Sequence, residues 1–233
     1  MPVFSVDYRL APKHPYPIPI SDSYQAYVWI ITQAKTQLGI DVDKWIITGD
    51  SAGGHLSISV TMLAILRGFR VPDAIMSSYP VLVIGKTVFK PSHLLALDEE
   101  LLSQAFMQFA LACLLRGNEE SNINDINPVI SPLIACDALL ARFPPIEFLL
   151  AENDSLRDHT LEMSIRLMRL GVHTKVHMMR EFIHGFHNLD VKIGGVNEYK
   201  RSTKHTCDMF RGLYELVKDK EVDEEEQKDQ MSE

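Results

Sequence analysis

Apolar positions gather in five short runs: PVFSVDY (Pro2 to Tyr8), KWIITG (Lys44 to Gly49), DAIMSSYP (Asp73 to Pro80), IEFLLA (Ile146 to Ala151) and TKVHMMR (Thr174 to Arg180). Each is short and mostly apolar on both faces, which predicts parallel strands buried between helices rather than half-exposed ones. Between them the spacing changes to a helical one. Asp22 to Leu38 places Tyr24, Val28 and Ile31 on one face and stops at Gly39, a residue suited to the left-handed turn that ends a helix. His55 to Arg67 sets Leu56, Val60, Leu63 and Leu66 at helical spacing before Gly68, and Thr160 to Leu170 does the same with Leu161, Ile165 and Met168 before Gly171. Pro91 to Arg116 reads as helical, and Gly117 to Pro144 as a long excursion above the sheet. Alternating strands and helices predict an α/β fold with a mostly parallel sheet and helices on both faces.

Length and composition agree. The chain has 233 residues, 46% of them hydrophobic, enough for one large α/β domain. No apolar run approaches the ~20 residues of a membrane helix, and no basic segment followed by an apolar core opens the chain, so a cytoplasmic protein is expected. The formal net charge is -8, but from Lys218 to Glu233 eight acidic residues face three basic ones. That segment is predicted to be a disordered acidic tail (residues 218–233) beyond a domain of residues 1–217. The body is close to neutral and has no basic stripe, which excludes nucleic acid as the expected partner. Cys113, Cys136 and Cys207 lie far apart without metal-ligand spacing, so no metal site is expected from them and the thiols read as reduced.

The chemistry concentrates at predicted strand ends, where parallel sheets collect functional residues. GDSAGG (Gly49, Asp50, Ser51, Ala52, Gly53, Gly54) joins a strand to a helix. A G-x-S-x-G turn this sharp lifts the serine hydroxyl with helix N–H groups behind it. A neutral serine is a poor nucleophile and needs a base within hydrogen-bond reach, itself oriented by a carboxylate. Asp154 follows the fourth strand and His184 the fifth, in the order Ser, Asp, His that this architecture uses. Each has a rival. Asp158 stands near Asp154 but could cap the helix beginning near Thr160, and His187 follows His184 but reads as a surface or supporting histidine. His55 reads as a packing or solvated group, and Asp50 as either an electrostatic contributor to the turn or an exposed carboxylate. Met163, Met168, Met178 and Met179 read as core, although a surface facing lipid would also favour such side chains.

Together, SVDYRLAPKHPYP, GDSAGG, NDSLRD and HGFHNL resemble the hormone-sensitive-lipase-like group of α/β-hydrolases, over about Pro2 to Phe210. RVPDAIMSSYPV and PSHLLALDEELL are closer to hormone-sensitive lipase than to the shorter bacterial esterases. The resemblance implies a carboxylic-ester hydrolase without metal or organic cofactor, in which Ser51 attacks the ester, His184 acts as base and then acid, Asp154 orients His184, and the Ala52 N–H contributes to an oxyanion hole. It implies ester or lipid substrates and transient contact with a lipid surface. The alternative is a non-catalytic binding protein on the same scaffold, as in the plant gibberellin receptors that resemble this family.

The family's other oxyanion donors come from a His-Gly-Gly-Gly loop that precedes the strand matched by Pro2 to Tyr8, and no such loop occurs in these residues. The resemblance therefore implies an α/β-hydrolase domain incomplete at its amino terminus. Losing one oxyanion donor costs about 3 kcal/mol, a hundred- to thousandfold in turnover, so weak activity is expected of this chain.

Overall fold

In a computed structural model of the chain, which describes residues 2–84, 90–95, 102–116, 127–188, 192–193 and 196–230, four of the five apolar runs form strands. These are β1 (Ile46–Asp50), β2 (Ala74–Ser78), β3 (Ile146–Asn153) and β4 (Thr174–Ile183), all parallel and in the order β1-β2-β3-β4. The helices are α1 (Ile18–Leu38), α2 (Ala52–Leu66), α3 (Pro91–Leu95), α4 (Gln104–Leu115), α5 (Asp137–Leu140), α6 (Arg157–Arg169) and α7 (Glu198–Gln230), with a short antiparallel pair, β5 (Lys192–Ile193) and β6 (Val196–Asn197), before α7.

Period-two alternation splits the strands between two cores. Ile75, Ile146, Phe148 and Leu150 pack with Ile58, Met62 and Ile65 of α2 and Met163 and Leu167 of α6. On the other face Met76, Leu149, Ala151 and Met179 meet Met209 of α7. Each such side chain, fully buried, contributes roughly 1.5–3 kcal/mol, which explains why runs apolar on both faces become the middle layer of a three-layer sandwich. The predicted helix ends also hold: Gly39, Gly68 and Gly171 all adopt positive φ, and the Gly39 N–H donates to the Lys35 carbonyl at 3.1 Å.

Pro2 to Tyr8 departs from expectation, because it forms no strand. A strand requires a neighbour for its ladder, and the segment neither pairs with β1 nor buries its valines: Val3 is 85% exposed. It is held by side chains instead. Phe4 lies 5.8 Å from the Trp45 ring, and Arg9 forms a two-pronged pair with Asp22 at 2.8 and 2.7 Å.

The connection from β2 to β3 also differs. Its residues 117–126 lie outside the described residues, but 127–144 are no excursion: Ile130 and Leu140 are fully buried, and Leu133, Leu139 and Phe143 belong to the main core. Apolar residues too irregularly spaced to signal an element still find the sheet face. Within the stretch read as continuously helical, α3 and α4 are separate helices, and 96–101 lie outside the described residues. The acidic segment expected as a disordered tail is a further correction, since the α7 backbone runs through it to Gln230. Lys, Glu and Gln propagate a helix well once a packed turn has nucleated it, and Met209, Leu213 and Val217 supply that packing.

Candidate active site

Ser51 follows the last residue of β1 and precedes the first of α2, at φ 50° and ψ -113°. This is a left-handed conformation that a non-glycine residue adopts only under constraint. The constraint is steric and hydrogen-bonded. A β-carbon on Gly49 would stand 2.3 Å from the Gly53 carbonyl carbon, and one on Gly54 would stand 2.8 Å from Ser77 Oγ, whereas one on Gly53 would meet nothing within 4 Å. The pairing of glycines that the turn requires is therefore Gly49 with Gly54, while Gly53 matters through its backbone. The Ser51 N–H donates to the Ser78 carbonyl at 2.9 Å, pinning the turn to β2. Behind it Ala52 opens α2, where the first N–H groups have no partner one turn back.

Asp154 follows β3 and His184 follows β4. Ser51 Oγ lies 2.8 Å from His184 Nε2, and His184 Nδ1 lies 2.8 Å from Asp154 Oδ2. A carboxylate only accepts, so Nδ1 carries the ring proton and Nε2 accepts from the serine hydroxyl. The other oxygen of Asp154 accepts the Leu156 N–H at 2.8 Å. Asp154 and His184 are 1% and 6% exposed, so this chain of hydrogen bonds is shielded except at the serine. A hydroxyl, an imidazole and a carboxylate in series can withdraw a proton from the hydroxyl as it attacks and hold the resulting positive charge next to a buried negative one.

The rivals lie elsewhere. Asp158 does not cap the helix near Thr160; its Oδ2 accepts the Ser92 N–H at 2.8 Å at the start of α3, and Arg157 Nε reaches its Oδ1 at 3.0 Å. Burial raises its carboxyl, but those bonds outweigh it and hold it below the usual range. His187 Nε2 sits 3.2 Å from Ser78 Oγ, with its basicity lowered by burial against the opposing pull of Asp50. His55 is a packing residue: buried, with Nδ1 2.9 Å from the Val81 carbonyl, and brought down to about 4 by burial, only partly offset by that carbonyl. Asp50 is exposed at the rim, 3.5 Å from the Tyr79 hydroxyl and 3.4 Å from Asn188 Nδ2. Met163 and Met179 are core, but Met168 and Met178 are 47% and 38% exposed.

Tyr79 was not singled out by sequence reasoning. Fully buried and at φ 36°, it packs edge-on against His184 with centroids 4.8 Å apart. Burial, then the charge of Asp50, raises its hydroxyl far above the usual range. Its position directly after a strand, like that of Ser51, was the available signal. A surface groove of about 620 Å³ beside Lys90, Asp158 and Arg169 includes none of the triad positions. Among the described residues no group of His, Cys, Asp or Glu is arranged to hold a metal, and no helix is long and apolar enough to cross a membrane.

Comparison with known proteins agrees with this fold. A family profile described as alpha/beta hydrolase fold matches residues 1–188. Mouse hormone-sensitive lipase is 41% identical over 102 residues, which is 44% of this chain and 13% of that protein. Carboxylesterase NlhH of Mycobacterium tuberculosis is 31% identical over 198 residues, 84% of this chain and 60% of the relative. Among solved structures, carboxyl esterase 2 from the mycorrhizal fungus Tuber melanosporum superposes with a TM-score of 0.78 at 28% identity, covering 89% of this chain and 65% of that one. The chain thus spans less than two thirds of the length of each of these relatives.

Proposed function

The chain belongs to the alpha/beta hydrolase fold family, and from that premise we propose that it is a carboxylesterase or lipase-type serine hydrolase acting through an acyl-enzyme. Ser51 attacks the ester carbonyl while His184 takes its proton, Asp154 fixes the imidazole tautomer and stabilises the imidazolium, and the leaving alcohol receives the proton. Water then repeats the sequence on the acyl-enzyme. The Ala52 N–H faces the developing oxyanion. The observation that carries this reading is the unbroken series Ser51–His184–Asp154, with both contacts at 2.8 Å.

The substrates proposed are short acyl or lipid esters, in keeping with relatives whose names specify a lipase and carboxylesterases. Contact with a lipid surface is assigned to α4. Ten of its twelve residues are apolar, none is buried, and Phe106 and Phe109 are 52% and 65% exposed. Turnover by these 233 residues is expected to be slow, because no His-Gly-Gly-Gly segment occurs among them.

A fluorophosphonate probe tests the proposal. Labelling confined to Ser51 and abolished in Ser51→Ala supports it; no labelling of a demonstrably folded chain overturns it in favour of a binding protein on the same scaffold.

A further inference from the structure

Each of the four strands delivers the residue after its end to the same place: Ser51 from β1, Tyr79 from β2, Asp154 from β3 and His184 from β4. Three of these form the hydrogen-bonded series. The fourth has no place in it, yet the end of β2 touches all three of the segments that carry it. The Ser78 carbonyl accepts the Ser51 N–H at 2.9 Å, and the Tyr79 N–H donates to Leu149 of β3 at 2.7 Å. The Tyr79 ring packs on His184 at 4.8 Å and on Phe186 at 5.1 Å.

His184 needs such support more than its partners do. β4 lies at the sheet edge among the described residues, and its pairing slips just before the site, where Ala151↔Met179 is followed by Asn153↔Ile183. Glu181, inside that slip, has φ 67° and Gly185 has φ 73°, so the backbone on either side of His184 is irregular. Ladder bonds cannot fix the imidazole there, and the hydrogen bonds at its two nitrogens do not by themselves set the tilt of the ring about the line joining them. A fully buried aromatic ring packed edge-on against it constrains that tilt.

We propose that Tyr79 is a positioning residue whose ring holds the His184 imidazole in line between Asp154 and Ser51. The inference rests on the reading of Ser51 as nucleophile for its kinetic consequence only; the ring's orientation can be observed without turnover. Removing the ring should cost more in kcat than in KM, since an imidazole displaced by about 1 Å loses on the order of a hundredfold.

The test compares Tyr79→Phe, which keeps the ring, with Tyr79→Leu, which does not; Tyr79→Met is the second ring-free variant should Tyr79→Leu not fold. Two readouts are taken: the rate and pH midpoint of fluorophosphonate labelling, and the downfield proton resonance of His184 Nδ1–H. A ring-free variant should label ten- to a hundredfold more slowly with a shifted midpoint, and its Nδ1–H signal should broaden through exchange with water. Tyr79→Phe should stay within threefold of wild type with a sharp signal. A ring-free variant with unchanged rate, midpoint and signal overturns the proposal. So does a Tyr79→Phe variant as impaired as Tyr79→Leu, which would give the role to the hydroxyl. If wild type does not label at all, the reading of Ser51 fails, while the Nδ1–H signal still decides the role of Tyr79.

Discussion

Gly49 and Gly53 approach so closely across the turn at Ser51 that a β-carbon on Gly49 would lie 2.3 Å from both the carbon and the oxygen of the Gly53 carbonyl. No side-chain rotation relieves a clash with backbone, so the turn itself would have to open, carrying the Ser51 hydroxyl away from His184. Gly53 is the converse: it sits in α2 with open space where its β-carbon would be.

Gly49→Ala is therefore expected to destabilise the chain by ~1–3 kcal/mol or more, as overpacking does, and to abolish fluorophosphonate labelling. Gly53→Ala should leave stability unchanged or raise it by up to about 1 kcal/mol, because alanine is the better helix former. Thermal unfolding of the two variants side by side checks both; equal losses would mean that the turn is not governed by this contact.

The two aspartates of NDSLRD should separate cleanly. Asp154→Asn replaces an acceptor of the His184 Nδ1–H with a group that can donate, which favours the wrong tautomer and lowers turnover by up to about 10⁴-fold. Asp158→Asn touches only the start of α3 and Arg157, and kcat should remain within a few-fold. Ester hydrolysis rates for the pair decide it, and a larger loss in the Asp158 variant would reverse the assignment.

These assignments show where the sequence was informative. β2 and β3 are buried almost throughout and were visible as mostly apolar runs. β1 and β4, at the sheet edges among the described residues, were visible too but keep half-exposed and exposed positions, and the residue after each run fell where a parallel sheet puts its chemistry. Ser51, Asp154 and His184 were legible because each is a reactive type at such a position. Tyr79 was not, since a tyrosine ending an apolar run looks like one more core residue, and its contact with His184, far away in the chain, is not revealed by spacing. Pro2 to Tyr8 failed for the opposite reason. Its composition suits a strand, but strand formation is a property of the pair, and among the described residues it is paired with no strand. Residues 127–144 were misread because burial of Ile130, Leu133 and Leu140 follows from the shape of the sheet face, not from any local period.

Stability should fall as the solution is acidified through the range set by His55. Its folded pKa, about 4, lies below the 6.5 of an unperturbed histidine, so between these values the unfolded chain takes up a proton that the folded chain refuses. The unfolded state binds more protons, and stability rises with pH across that window and is lost as pH drops from 6.5 toward 4. The amplitude is about 3 kcal/mol from this one buried group. His187, also lowered by burial, acts in the same direction. Denaturant unfolding at pH 7 and pH 4.5 should show the drop, and His55→Gln should show a smaller one; identical slopes would exclude His55 as the source.

An exposed apolar helix makes a separate prediction about surfaces. The chain's net charge of -8 disfavours anionic lipid, so α4 should engage uncharged interfaces: phosphatidylcholine vesicles or triacylglycerol droplets. Replacing Phe106 and Phe109 with serine removes two aromatic side chains that would each contribute roughly 1.5–3 kcal/mol on full burial. Flotation with droplets should then weaken at least tenfold, while labelling of Ser51 by a small probe stays the same. Undiminished flotation would remove α4 from the proposal.

The rate of the chain should betray a particular imbalance. In the proposed mechanism, removing a proton from Ser51 depends on His184 and Asp154, which stand in hydrogen-bonded series, whereas stabilising the tetrahedral oxyanion depends on N–H donors, of which the proposal assigns the Ala52 group. Each further donor is worth a hundred- to thousandfold in turnover. Hydrolysis of a p-nitrophenyl ester should therefore run at least a hundredfold below that of carboxylesterase NlhH under the same conditions, with the deficit in kcat. Fusing a segment that supplies His-Gly-Gly-Gly ahead of residue 2 should recover part of the deficit. A chain already as fast as that relative would show that its oxyanion is held by groups other than those expected.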